Sequence, residues 1–91
     1  MLERRKVKDR AQVTFVLPAD TPPGPVSVVG DFNEWKPGAH VLQARGDGMR
    51  AVTVGLPARG VHSFRYLAAG HYWFDEDHAD GHDGINSLLH T

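Results

Sequence analysis

"VVGDFNEWKPG", residues 28–38, is the stretch on which the reading of this chain turns. Two valines end at Gly30, and a run of turn formers follows. Asp31, Asn33, Glu34, Lys36, Pro37 and Gly38 surround just two large aromatics, Phe32 and Trp35. Glycine adopts backbone angles closed to other residues, and Asp and Asn side chains accept hydrogen bonds from nearby backbone N–H groups. The stretch therefore predicts a strand that leads into a shaped, rigid turn, with Gly30 at the bend. Phe32 has no polar atom and is expected to plug the turn onto the end of a core. Trp35, between Glu34 and Lys36, has no comparable claim on the interior and is expected either open at the surface, where an indole offers a flat apolar face with a polar rim, or folded back to cap the edge of the sandwich.

Outward from this turn, apolar residues recur with period two and are punctuated by Gly and Pro at short intervals. That pattern predicts strands over residues 11–17, 26–30, 41–45, 49–56 and 61–69, a hairpin from Gly70 into "HYWFD", and a closing strand in "INSLLHT". About seven short antiparallel strands with no convincing helix predict an all-β, immunoglobulin-like β-sandwich. In the strand over 61–69, Phe64 and Tyr66 share one side, and Ser63, Arg65 and Leu67 share the other. If the aromatics face the core, Arg65 faces solvent. Tyr72 and Trp73 are adjacent in an extended segment and must fall on opposite faces. One is expected in the core and one outside, and the pattern does not choose between them.

Ninety-one residues make one small domain, able to bury roughly 60 to 65% of its unfolded surface. The chain has no cysteine, which excludes disulfides, thiolate metal sites and a cysteine nucleophile, and makes a reducing cytoplasm the expected location. The formal charge of −1 supplies no global field for nucleic acid or anionic lipid, so neither is expected as a partner. Arg4, Arg5, Lys6, Lys8 and Arg10 concentrate positive charge in residues 1–10, but no aromatic accompanies them for base stacking. Residues 1–10 are expected to be a flexible, solvated segment ahead of a domain over 11–91. No run approaches the roughly 20 apolar residues of a membrane span.

The last third concentrates acids and histidines in "DEDHADGHDG", residues 75–84. From Asp75, a calcium loop of the EF-hand type would need an oxygen ligand at Ala79, so that spacing fails. His78 and His82 are four apart, but Gly81 and Gly84 argue against the helix that would align them on zinc. The run is therefore expected to be a hydrated loop, with no metal or other cofactor. Hydrolysis of glycosides needs two carboxylates held across a cleft, which one flexible loop does not supply, and no serine lies in a G-x-S-x-G elbow. The chain is not expected to be an enzyme.

Taken in order, "VSVVGDFNEW" (26–35), "VHSFRYLAAGHYW" (61–73), the Asp-rich loop and "INSLL" (85–89) resemble the glycogen-binding domains classed as family-48 carbohydrate-binding modules. That family includes the early-set N-terminal domains of isoamylase and branching enzymes and the module of the AMP-activated protein kinase β subunit. The likeness spans residues 10–90, nearly the whole chain. It implies an early-set, immunoglobulin-like sandwich that binds α-1,4-glucans such as glycogen, starch or maltooligosaccharides and accompanies a glycogen-metabolising enzyme. By the resemblance, Trp35 stacks on a glucose ring, Arg65 contacts the sugar, and Asn86 bonds its hydroxyls. The family's second stacking Trp falls two residues after a Gly, where this chain has Tyr72, with Trp73 one place later. Relatives that carry "WFD" make Trp73 the equivalent by type. Where the kinase module threads a Leu through the glucan near a Thr, this loop has His82 and Gly84, which implies a looser grip. The alternative expectation is a protein-interaction module whose same aromatics dock a partner enzyme or a second copy.

Overall fold

Side chains of an extended segment alternate between two faces, and a segment with one apolar face pairs so as to bury it. The structure, a computed structural model, describes residues 1–69 and 71–91, and nine strands form among them. They are β1 (Leu2–Val7), β2 (Arg10–Pro18), β3 (Val26–Gly30), β4 (Gln43–Ala44), β5 (Met49–Pro57), β6 (Val61–Ala68), β7 (Tyr72–Phe74), β8 (Gly81–His82) and β9 (Ser87–His90). One turn of 3₁₀ helix, Asp31–Asn33, follows β3. Gly70, expected to open the last hairpin, lies outside the described residues.

The strands form two antiparallel sheets, one ordered β1-β2-β5-β4 and one ordered β3-β6-β9-β8 with β7 also paired to β6. This is the all-β sandwich expected from the alternation, with β1 and the two-residue β8 in addition to the strands anticipated. Strand β6 organises the second sheet. Residues 64–68 pair with β3 along one edge, while the other edge is shared between β9, at 61–64, and β7, at 66–68. Phe64, Tyr66 and Ala68 are buried between the sheets. There Phe15 of β2 packs edge-on to Phe64 at 5.1 Å and to Tyr66 at 6.4 Å. Val13, Val26, Val28, Leu56 and Leu89 complete the middle of the core.

The two sides of the sandwich are closed differently. On one side, residues 40–45 change sheets: the Val28 N–H donates to the His40 carbonyl at 2.9 Å, Leu42 N–H donates to Val26 O at 3.0 Å, and β4 then pairs with β5. On the other side, Arg4 in β1 donates to Asp80 at 2.8 Å and to the His90 carbonyl at 3.2 Å, joining the first sheet to the second. Residues 2–7 are thus an edge strand, where a flexible arm was expected. Their charge density hides the strand because edge strands commonly carry Lys and Arg, which discourage pairing with further chains.

The turn after β3 corrects a second expectation. Gly30 is extended, with φ −162° and ψ −178°, so it does not supply the bend. The left-handed residues are Glu34 and Trp35, with φ 57° and 56°, a conformation that costs non-glycine residues on the order of 1 kcal/mol each. Gly30 is needed for space: a Cβ there would lie 2.5 Å from the Ser63 carbonyl oxygen and 2.6 Å from the Phe32 ring. That ring stacks on Phe15 at 5.9 Å and 21°, as expected of a plug. Asn33 accepts from the Gly30 N–H at 3.0 Å and donates to Val28 O at 3.0 Å. Asp31 reaches across to β6 and accepts the Ser63 N–H at 3.0 Å, a bond between strands where a local one was expected.

Arg50 received no role in the sequence reading. It is buried at the end of the core and donates to Gly24 O at 2.7 Å and Pro22 O at 2.6 Å, fixing the loop between β2 and β3.

Gly30→Ala is expected to lower stability by about 1–3 kcal/mol, because overpacking against a backbone oxygen cannot relax through a side-chain rotation. Urea denaturation checks this against Gly55→Ala, whose Cβ would meet only the Arg10 guanidinium at 3.7 Å and which is expected to leave the midpoint unchanged or slightly raised.

Candidate functional site

Because Phe64 and Tyr66 point inward, Arg65 and Leu67 lie on the outer side of β6. The pairing of β7 decides which ring joins them. Leu67 stands opposite Trp73, while Tyr66 faces Phe74 and Ala68 faces Tyr72. Directly opposed residues share a face, so Trp73 is on the outer side with Arg65, and Tyr72 and Phe74 are on the side of the core. The Arg65 Cζ lies 5.9 Å from the centroid of the Trp73 ring, within the range of a cation–π contact.

Asp75 continues the same alternation, and one of its carboxylate oxygens is 3.5 Å from Arg65 Nε. It is held in turn by the Ser87 hydroxyl, which donates to Oδ1 at 3.1 Å, and by His82 Nε2, 3.0 Å from Oδ2. Burial alone would raise the Asp75 pKa, but His82, Ser87 and the Arg65 charge together hold it below the usual carboxylate range. The guanidinium is therefore fixed between an aromatic face and an ionised acid. Its Nε makes no hydrogen bond among the described residues. Sequence reading missed Asp75 in this role. The signal was the period-two continuation from Trp73, obscured by the acids that follow.

Asn86 sits one step beyond the last pair of β6 with β9, in which Phe64 opposes Ser87. Continuing that register brings it level with Arg65, and alternation with the buried Ser87 directs it to the outer side. Its backbone N–H donates to Asp83 Oδ1 at 2.7 Å, as does that of Ile85 at 2.9 Å, which fixes the approach to β9. The Asn86 side-chain amide makes no hydrogen bond among the described residues.

Trp35 follows the Asn33 clamp, and its N–H donates to Gly30 O at 2.9 Å, at the end of the strand adjacent to β6. It is 38% exposed, as is Trp73. Its indole forms no aromatic or cation–π pair with Arg65, Tyr72 or Trp73 among the described residues. The structure thus gathers Arg65, Trp73 and Asn86 on one face, leaves Trp35 in the neighbouring turn, and puts Tyr72 on the opposite side. The expectation that either Tyr72 or Trp73 would be a core residue is corrected. Tyr72 is 58% exposed and stacks on Phe74, which takes the place against the core. The reason is that its partner, Ala68, is the last residue of β6, so the ring overhangs the edge of the sheet.

The acidic loop is folded where a hydrated run was expected. Glu76 is buried and accepts from the Met1 ammonium at 2.8 Å, the Tyr66 hydroxyl at 2.6 Å and the His78 N–H at 2.8 Å. Its own N–H donates to Ser87 Oγ at 3.1 Å. Burial works to raise its pKa, and these donors together outweigh it and bring the value below normal. Burial first, and the Glu76 carboxylate second, push the Tyr66 phenol well above its ordinary value. Asp80 accepts from Arg4 and from the His90 N–H. Among the described residues, no group of three or more His, Asp or Glu side chains is placed to share a metal ion.

No protein-family model matches the chain, and a search of curated proteins found no match.

Glu76→Gln is expected to cost about 1–3 kcal/mol near neutral pH, since it weakens hydrogen bonds made to a buried charge. The folded-state pKa of Glu76 lies below its ordinary value near 4.5. Its contribution is therefore fully present above that value and is lost as pH falls through the folded one. Urea midpoints between about pH 2 and pH 7 should decline more gently on the acid side in Glu76→Gln than in the unaltered chain.

Proposed function

We propose that the chain is a non-catalytic carbohydrate-binding module for α-1,4-glucans such as glycogen, starch or maltooligosaccharides. The observation that carries this reading is the pairing of Arg65 with a half-open Trp73 ring on the outer face of the second sheet. A pyranose has one face of C–H bonds and a circumference of hydroxyls, so it needs an apolar plane with hydrogen-bonding groups at its border. Trp73 offers the plane. Arg65 offers planar donors, held in place by Asp75, and Asn86 offers both a donor and an acceptor. Trp35 adds a second plane from the turn after β3, and the two left-handed residues there present it without recruiting it to the core.

The motif resemblance to the family-48 modules points to the same residues, and the register of β7 favours Trp73 over Tyr72 as the second stacking ring. In this reading the module works in the cytoplasm beside a glycogen-metabolising enzyme. Its site is shallow and open, so affinity is expected to be modest, micromolar to millimolar.

A second reading, in which this face docks a partner protein, is favoured by one observation. Val61, on the outer side of β6 at the end away from Trp73, and Ile85, beside Asn86, are apolar side chains 61% and 69% exposed.

Calorimetric titration with maltoheptaose separates the two. Binding is expected, with Trp73→Ala and Trp35→Ala each weakening it at least tenfold, or about 1.4 kcal/mol, and Tyr72→Ala changing it by less than twofold. Absence of binding at millimolar sugar to a folded chain would contradict the carbohydrate reading.

A further inference from the structure

Tyr72 belongs to a surface of its own. A cleft of about 670 Å³ opens between the end of β2 and β7, walled by Leu17, Met49, Phe74 and the exposed Tyr72 ring. No Lys or Arg lines it among the described residues, whereas Asp75, Glu76 and Asp77 do. Asp75 is engaged with Arg65 and His82, and Glu76 with the Met1 ammonium. Asp77 is exposed and has no cationic partner among the described residues, and the same holds for Asp20, in the segment of the facing wall between Pro18 and Thr21. The cleft is thus apolar at its base, with Asp77 on one bank and Asp20 just outside the other.

The far end of the molecule has the opposite character. The turn between β1 and β2 and the turn after β5 meet there, joined by the Ala58 N–H donating to Asp9 O at 2.9 Å. Lys6, Lys8 and Arg59 extend from this end with no anionic partner among the described residues. Val7 is 40% exposed and stands between Lys6 and Lys8. Of the exposed large apolar side chains, it alone is flanked on both sides by cations. From Met1, at the cleft, through β1 to Val7, at this tip, is a distance on the order of 20 Å at about 3.3 Å per residue. A chain therefore cannot place its own tip in its own cleft.

We propose that the cleft of one copy receives the Lys6–Val7–Lys8 tip of a second copy, with Val7 against Tyr72 and Phe74 and the two lysines beside Asp77 and Asp20. The contact is head-to-tail, so it uses different patches on the two partners and can propagate along a row of copies. The cleft borders the face of Arg65 and Trp73 through Asp75, which lines the one and stands beside Arg65 on the other. The proposal does not depend on what that face binds. Its charges are exposed, so the association is weak and screened by salt.

Sedimentation velocity of the full chain, from about 10 μM to 1 mM, tests this in low and high salt. The average mass is expected to rise with concentration at low salt and to return to that of the monomer at high salt. Lys6→Glu/Lys8→Glu and Asp77→Lys, all exposed substitutions, should each be folded and monomeric when alone. An equimolar mixture of the two should associate again, because the unaltered tip of the second variant meets the unaltered cleft of the first. A chain that stays monomeric at all concentrations, an association indifferent to either variant, or a mixture that fails to associate would overturn the proposal.

Discussion

The packing of Phe64 and Tyr66 against Phe15 is the contact from which the other features follow. Two inward aromatics two positions apart on β6 leave Arg65 no choice but the outer side, since the period of a strand is two. The same commitment aligns β7, because Phe74 must meet Tyr66 on the inner side, at 5.1 Å between ring centroids. Trp73 is then carried outward to Leu67 and into reach of Arg65. A slip of one residue in this pairing would exchange Trp73 for its neighbours and dismantle the face.

A line of polar contacts connects this core to the same guanidinium. The Tyr66 hydroxyl donates to Glu76, the Glu76 N–H donates to Ser87, the Ser87 hydroxyl donates to Asp75, and Asp75 stands beside Arg65. Buried polar groups are costly unless they are satisfied, and from Tyr66 to Asp75 each is satisfied by the next. The buried Arg65 Nε at the end of the line has no hydrogen-bond partner among the described residues. The acids of residues 75–83 are for this reason mostly structural. They fix the last strands and the orientation of one arginine, and the net charge they add is partly neutralised by Arg4, Arg65 and the Met1 ammonium.

The alternation along β2, β5 and β6 was plain in the sequence because each strand has one apolar face, and the outward position of Arg65 followed directly. Phe32 was readable for a similar reason, as a large side chain with no polar atom in a polar turn. What escaped the sequence depended on partners distant along the chain. The role of Gly30 is set by the Ser63 carbonyl, a neighbour only after β3 and β6 pair. Glu76 looks like any other acid of its run until Tyr66 is placed beside it. Residues 2–7 carry the charges of an edge strand, which by composition resemble those of a solvated tail. The choice between Tyr72 and Trp73 required the register of β7, and three residues at the edge of a sheet give too short a pattern to fix one.

The central claim is that an open aromatic and guanidinium face, with Trp35 beside it, receives a glucan. The chain has two tryptophans, so its indole N–H groups give two resolved signals by nuclear magnetic resonance. On titration with maltoheptaose, the account predicts that the Trp73 and Trp35 indole signals both move and saturate together, while the ring signals of Tyr72 stay in place. Indole signals that remain fixed at millimolar sugar, or a response confined to Tyr72 and the cleft beside it, would contradict it.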